Sequence, residues 1–434
     1  MTEFFLHYLW RFKSFETKNL KTLAGENIEI LFPGTYNTGG GPDFFNARLR
    51  IGNTLWVGHV EIHTRSSDWN RHRHQFDDHY KNVILHVVQT NDVNIFLNVE
   101  GDLPVLELNG KYDNSLWETY QRWMKNEGRE IICDLQPDQL EKVVWLGWKD
   151  RLLVERLEEK SKVIWKLVED VNGYWPEAFY RRLTANFGFS RNNEAFEMLA
   201  RTIPLRLLKR YREDLFVLEA LLFGQAGWLS RDFEDSYPRR LKVEYQFLCR
   251  KHSLTPLPPS IWNFGGVRPS NFPTIRIAQL AFLIHQSENL FAQVLDIQAI
   301  EDFYKIFNSQ TSEYWRTHFR FDYESTTLKD NVLGKGAIES LLINTVGVML
   351  FAFGRFNQQE HHMRMALRIF EYCKPEDNQI TRKWSNRGPG NHSSADSQAL
   401  VQLYNKYCSC KKCLDCVIGH QLLKPEKIND SSNS

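Results

Sequence analysis

Asp43, Glu61 and His63 combine residue types and spacing that can do chemistry. Asp43 follows Pro42 at the opening of an extended run, and Glu61-Ile62-His63 lies late in the next one. Hydrolysing a phosphodiester requires charge stabilisation on a non-bridging oxygen and a hydroxide near neutral pH. A hard divalent cation supplies both, and it favours one or two carboxylates with waters and substrate phosphate completing its shell. Two carboxylates on adjacent strands make half of such a shell. The expected ion is Mg²⁺ or Mn²⁺ on Asp43 and Glu61, with His63 as a third catalytic group that orients or deprotonates the water. The period of two along a strand puts His59, Glu61 and His63 on one face. Register is the constraint. A two-residue turn at Gly52-Asn53 pairs Asp43 with Ile62 and turns Glu61 away, whereas a three-residue loop or a bulge restores the pair. The competing reading treats both carboxylates as solvated groups at strand ends.

Six of the 14 histidines fall between His59 and His86. Imidazole suits Zn²⁺, Mn²⁺ or iron, so a second metal reading joins Asp43, Glu61 and His63 with His72 or His74. For Arg71-His72-Arg73-His74 the expectation is a solvated cationic helix start or a phosphate contact. His86, between Leu85 and Val87, reads as a satisfied core histidine. Arg65, Arg71, Arg73 and Lys81 are candidates to meet a phosphate backbone, or form an ordinary charged surface.

The second local signal is Cys408-Ser409-Cys410-Lys411-Lys412-Cys413-Leu414-Asp415-Cys416. Thiolates at this spacing can close around a tetrahedral zinc or hold an iron–sulfur cluster, with Cys408, Cys410, Cys413 and Cys416 as ligands. His420 and Cys373 are alternative ligands, and the bland reading is reduced cysteines at the start of a helix spanning 413–423. Cys133 and Cys249 read as core residues.

The elements around these residues follow from periodicity. Residues 3–15 read as a helix with Phe4, Phe5, Tyr8, Leu9 and Phe12 on its apolar stripe. Strands are expected at 28–32, 43–51, 54–64 and 83–89, with Phe45, Ala47, Leu49 and Ile51 sharing one face of the second. Residues 69–80 read as a polar helix, and 94–109 as a further hairpin. After residue 115 the period becomes helical, over 137–170, 176–187, 191–222, 236–252, 273–287, 335–353, 358–373 and 395–407, with a loop at 374–397. The last nine residues are polar and expected to be disordered.

Composition sets the frame. The chain has 434 residues. That length suggests two or three domains at roughly 150 residues each. The hydrophobic fraction is 42%. Such a fraction is ample for a folded core. A formal charge of +1 leaves no global basic excess. Any polyanion binding must therefore come from local clustering. No apolar run of about 18–20 residues is evident, so no membrane partner is expected. The start Met1-Thr2-Glu3-Phe4-Phe5 lacks a cationic leader, and the expected location is cytoplasmic.

The order helix, three strands, helix, strand, with Asp43 opening the second strand and Glu61 on the third, resembles the PD-(D/E)XK nuclease superfamily over roughly the first 90 residues. The resemblance implies Asp43 and Glu61 as metal ligands and a metal-dependent nuclease core. His63 stands where that superfamily has lysine. Gln75 and Tyr80 would take the places of a Gln and a Tyr that its following helix often brings near the site, with Arg65, Gln75 and Tyr80 as substrate contacts. Some of its members carry a cysteine-bound iron–sulfur cluster.

Over nearly the whole chain, Gly58 to Trp69, Ala185-Asn186-Phe187-Gly188-Phe189, Glu219 to Gly227 and Arg268 to Pro273 are similar to a bacterial family catalogued as domain of unknown function 2851, which brings no activity with it. Asn186, Gln225, Arg268 and Asn271 are polar groups among apolar neighbours, read as structural hydrogen bonding.

The expected fold class is α+β. A nuclease-like αβββαβ domain over 1–115 precedes a helical domain over 116–373 and a loop, helix and cysteine-cluster tail over 374–434. The expected function is an uncharacterised protein acting as a divalent-metal nuclease on DNA or RNA. The alternatives are a non-catalytic nucleic-acid- or protein-binding module that keeps the fold, or another metal-dependent hydrolase built on the histidines.

Overall fold

The described residues are 1–97, 101–126, 131–133, 139–326, 328–384, 387 and 390–423 of a computed structural model. The polar last nine residues lie outside them. The chain divides into two compact units, one of Met1–Leu146, Arg387–Pro389 and Leu403–Ser434, the other of Gly147–Asn386 and Gly390–Gln402. The fold is α+β, with a mixed sheet in the first unit and a large helical region in the second.

The first unit opens with helix α1 (Glu3–Phe12). Strands β1 (Ile28–Phe32), β2 (Thr35–Tyr36), β3 (Phe44–Ile51) and β4 (Thr54–Arg65) follow. β4 leads through a one-turn helix, α2 (Asp68–Arg71), to β5 (Val83–Thr90). A short hairpin, β6 (Phe96–Leu97) and β7 (Gly101–Asp102), precedes β8 (Val105–Glu107) and α3 (Asn114–Lys125). The sheet order is β1-β3-β4-β5-β8, with β2 also on β3. β3 is antiparallel to β1, β2 and β4, whereas β4-β5 and β5-β8 are parallel. A parallel neighbour requires a long crossover. Residues 66–82 provide it.

Three expectations are corrected. The apolar face of α1 is Phe5, Leu6, Tyr8, Leu9 and Trp10, while Phe4 and Phe12 are exposed, because the helix ends at Phe12 and Lys13 turns into left-handed backbone. In β3 the buried residues are Phe44, Ala47, Leu49 and Ile51. A bulge at Phe45-Asn46 resets the alternation there. Residues 69–80 do not form one helix. α2 ends after Arg71, Arg73 adopts left-handed backbone with φ 63°, and two 3₁₀ turns follow at His74–Phe76 and Asp78–Tyr80.

The second unit contains most of α4 (Lys142–Asp170), then α5 (Trp175–Phe187), α6 (Phe189–Thr202), α7 (Leu205–Arg210), α8 (Leu215–Gln225) and α9 (Ser236–His252). α10 (Pro273–Gln286), α11 (Leu290–Asp296), α12 (Ile300–Ile306), a hairpin of β9 (His318–Arg320) and β10 (Tyr323–Glu324), and α13 (Lys335–Leu341) continue it. α14 (Gly347–Phe356), α15 (Glu360–Tyr372), α16 (Gln379–Lys383) and α17 (Ser394–Leu403) complete the helical region.

The helix expected over 191–222 is three. Pro204 sits at the N-cap of α7, and the Asp214 side chain accepts from the N–H groups of Phe216 and Val217 to start α8. α8 is apolar all round and lies against α9 and α10. A Cβ on Gly224 would lie 2.0 Å from the Tyr245 ring, so glycine sets the closeness of α8 and α9. α13, a π turn at Leu342–Val346 and α14 make one helical run, Lys335–Phe356, long and apolar enough to cross a membrane. Its most apolar stretch is 72% buried, against α5 and α15.

Glu219 of α8 is buried in that core, accepting from Tyr237 Oη at 2.5 Å and Ser312 Oγ at 2.9 Å. Burial raises its pKa to about 7 despite these donors. Because the folded pKa lies above the unfolded one, the stabilisation is complete at acid pH and is lost as pH rises through 7. Unfolding between about pH 4.5 and 8 should show a loss of about 3 kcal/mol attributable to this group. Glu219→Gln should flatten that dependence; a variant whose pH profile parallels the wild type would refute the assignment.

Candidate metal centre

The bulge that resets β3 also builds the carboxylate pair. The turn at Gly52-Asn53 is a two-residue turn, with Ile51 opposite Thr54 and Ala47 opposite Gly58. One extra residue at Phe45-Asn46 then brings Phe44 opposite Val60, and Asp43 beside Glu61. Asn46 takes φ 56° and its N–H donates to His59 Nδ1 at 3.3 Å. Asparagine tolerates this left-handed conformation because its short polar side chain can hydrogen-bond locally. The two carboxylates are locked by reciprocal contacts. Asp43 N–H donates to Glu61 Oε2 at 3.2 Å, and Ile62 N–H donates to Asp43 Oδ2 at 2.9 Å.

On the other side, β5 must lie close to β4. A Cβ on Gly58 would meet Ile84 Cγ2 at 2.4 Å and the Asn82 carbonyl oxygen at 2.5 Å, so only glycine admits this approach. The parallel pairing sets Glu61 beside His86. His63 Nδ1 and His86 Nε2 are 2.8 Å apart.

The crossover turns His74 inward, against the expectation of a solvated cationic helix start, while His72 stays exposed with one ring nitrogen on His63. Asp68 anchors it by accepting from Thr64 Oγ1 at 3.0 Å and Arg65 N–H at 3.1 Å, and Asp92 accepts from the side chains of Ser66 and Ser67. The left-handed turn at Arg73 lets both flanking histidines face the strand. His72 Nδ1 lies 3.1 Å from His63 Nε2, and His74 Nε2 lies 3.3 Å from Glu61 Oε1. Buried Trp69 packs on His74 and His86.

Two groups of candidate ligands result. The donor atoms of His63, His72 and His74 lie within 4.8 Å of one another, as do those of Glu3, His7 and Asp43. Glu61 joins them, with Oε1 3.5 Å from His63 Nε2 and Oε2 on the Asp43 N–H. His7 Nε2 is 3.3 Å from Asp43 Oδ2. Sequence reasoning missed Glu3 and His7. Their i, i+4 spacing on α1 was the available signal, and the apolar residues around them masked it.

The electrostatics follow from burial. Burial and then the neighbouring Asp43 push Glu61 up to about 9. Burial, then His86 and His74, push His63 down to about 2, and burial takes His86 down to about 3. These two imidazoles are thus neutral, the form that ligates metals. Three buried ring nitrogens of the site, His7 Nε2, His74 Nε2 and His86 Nδ1, make no hydrogen bond, and the first two are directed at Asp43 and Glu61. A set of imidazoles and carboxylates with orphaned nitrogens fits a divalent ion.

Tyr80 stacks on His74 at 3.8 Å between ring centroids, and burial and then Glu61 raise its pKa. Gln75 has a buried Oε1 without a hydrogen-bond partner. Arg65 is exposed at the end of β4. Arg71 is taken up by Asp68 at 3.0 Å, and Lys81 by Asp78 at 2.7 Å.

At the cysteines, a π turn at Tyr404–Cys408 and α18 (Val417–Leu423) flank the cluster. Cys413 and Cys416 are buried, while Cys410 is exposed and lies beside the Asn405 carbonyl. Burial raises the thiol pKa of both Cys408 and Cys413, and Cys133 and Cys416 add to each shift. Cys133, read from sequence as a core residue, packs against the core that contains Cys413 and lies near Cys408 and Cys413. Brief alkylation near pH 8 followed by peptide mass analysis should label Cys410 first, with Cys408 and Cys413 protected. Labelling of Cys413 at the rate of Cys410 would contradict this arrangement.

No curated protein and no solved structure matches the chain. A family described as "Protein of unknown function (DUF2851)" matches residues 3–379, and the chain belongs to that family.

Proposed function

We propose that the first unit is a divalent-metal-dependent hydrolase centre acting on phosphodiester bonds of DNA or RNA, with two adjacent metal positions that share Glu61. The observation that carries this reading is Glu61 lying between the His63, His72, His74 set and the Glu3, His7, Asp43 set. The imidazole-rich set favours Mn²⁺ or Zn²⁺ over Mg²⁺. The element order, with Asp43 and Glu61 on adjacent antiparallel strands and a parallel strand beyond, supports the likeness to a nuclease core.

Bound divalent ions supply a Lewis acid for a phosphoryl oxygen and a more acidic bound water. The chain does the rest. The backbone contacts of Asp43 and Glu61 fix both carboxylates before a ligand arrives. A His63 that ligates through Nε2 carries its proton on Nδ1, and His86 Nε2 is placed to accept it. Tyr80 holds the plane of His74 by stacking. Histidine in place of a lysine thus replaces a fixed positive charge with a neutral ligand held by His86.

Cleavage of mixed DNA and RNA substrates with Mn²⁺, Zn²⁺ or Mg²⁺ tests the proposal. Asp43→Ala and Glu61→Ala should each lower any activity by at least about 10²-fold while leaving the melting temperature of the loaded protein's second unit unchanged. His86→Ala should cost roughly 10–100-fold in metal affinity or rate. Wild-type rates in Asp43→Ala, or tight Mn²⁺ binding unaffected by Glu61→Gln, would sink the site.

For the cysteines we propose Cys133, Cys408, Cys413 and Cys416 as the ligands of a zinc ion or iron–sulfur cluster, with Cys410 outside the set. Elemental analysis of anaerobically purified protein should show metal in wild type and Cys410→Ser, and a loss in Cys133→Ser. Equal metal content in both variants would reject the revised set.

A further inference from the structure

The second unit contains a cavity of about 810 Å³ formed by the start of α6, the segment around Arg268–Asn271 and the residues before and at the start of α13. Its lining carries four cations, Arg191, Arg268, Arg276 and Lys329, against a single carboxylate, Asp330. Asp330 is already paired with Arg316 at 3.0 Å. The chain as a whole has a formal charge of +1, so this concentration is local.

Arg276 is unlike the others. It is 6% exposed and lines the cavity from α10. Nη1 donates to Gln279 Oε1 at 2.8 Å and Nη2 to Asn271 Oδ1 at 2.6 Å, both neutral acceptors. Its buried Nε–H has no hydrogen-bond partner. Among the described residues no carboxylate pairs with it, and burial alone pulls its pKa down to about 10, which leaves it charged at neutral pH. A buried cation without a counter-ion is costly, and an anion in the cavity would offset that cost.

The residue packed on Arg276 reinforces this. Phe189 lies under the Arg276 guanidinium at 4.5 Å and holds left-handed backbone with φ 48°. A non-glycine residue adopts that conformation only under constraint. Residues 188–192 form the kinked start of α6, which turns this backbone along the cavity wall. Asn192 departs from helical geometry there and is held by reciprocal bonds with the Asn263 backbone.

We propose that this cavity binds a phosphate group, with Arg276 as its buried anchor and Arg191, Arg268 and Lys329 at its mouth. Guanidinium forks match phosphate oxygens, and the volume exceeds that of a bare phosphate, leaving room for a nucleotide-sized body. The phosphate belongs either to a free nucleotide or to a nucleic-acid strand.

Titration calorimetry of the full chain in EDTA, which silences divalent sites, distinguishes the sources. The probes are inorganic pyrophosphate, adenosine 5′-monophosphate and a single-stranded oligonucleotide. Binding should weaken with salt, and an Arg191→Glu, Arg268→Glu double variant, folded by circular dichroism, should lose about tenfold or more in affinity. Arg276→Lys, which keeps the charge but loses the fork, should weaken binding as well. Binding of pyrophosphate and the nucleotide marks a free phosphate compound as ligand, and binding of the oligonucleotide alone marks a strand. Absence of binding by every probe, or an unchanged affinity in the double variant, overturns the proposal.

Discussion

The first unit's site depends on one extra residue in one strand. Without the bulge at Phe45-Asn46, the two-residue turn at Gly52-Asn53 would set Asp43 opposite Ile62, and the carboxylates would point to opposite faces of the sheet. With it, Asp43 and Glu61 share a face and each accepts a backbone N–H from the other's strand. Those contacts matter because a buried carboxylate and a half-buried one repel. The N–H donors offset part of the desolvation of each, and the rest appears in Glu61 as a pKa far above that of an exposed carboxylate. A pair held in this way is pre-organised for cations, since its geometry does not relax apart when charge is absent.

The histidines follow from the same strand pairing. Gly58 permits the close β4-β5 approach, which sets His86 behind His63. The crossover between these strands must span residues 66–82 in any case, and Asp68 and Asp92 tie its start to the ends of β4 and β5. A regular helix there would place His72 and His74, two residues apart, about 200° around the axis and on opposite sides. The short α2 and the left-handed Arg73 remove that helical phase, so both rings reach the same strand. The break in the helix is therefore what brings the two rings together beside His63.

This explains what was legible in the sequence. Asp43, Glu61 and His63 could be picked out because strand periodicity and a turn signal act over a few residues, and the same holds for Ile28–Phe32 and the helix Ser236–His252. The bulge was foreseen only as a requirement, since nothing local in Phe45-Asn46 demands it. The inward turn of His74 could not be read, because it depends on the left-handed backbone torsion at Arg73. Glu3 and His7 were hidden because the apolar stripe of α1 is read by composition, and a histidine directed across the sheet edge looks like one more surface residue. Cys133 was invisible as a partner because it is remote in sequence from Cys408–Cys416 and is joined to it only by folding.

The second unit shows the same logic of charge and burial with two opposite answers. Glu219 and Arg276 are both ionisable groups set among core helices, each hydrogen-bonded only to neutral partners. A carboxyl group has an escape, because it can take up a proton, and burial moves Glu219 to a pKa near neutrality. A guanidinium has no such escape at physiological pH. Arg276 must keep its charge, and it keeps one N–H without a partner as well. It also stands at a cavity wall, whereas Glu219 is enclosed by Tyr237 and Ser312. Of the two, only the residue that cannot neutralise itself has open space beside it, and a phosphate in that space would satisfy both the charge and the donor.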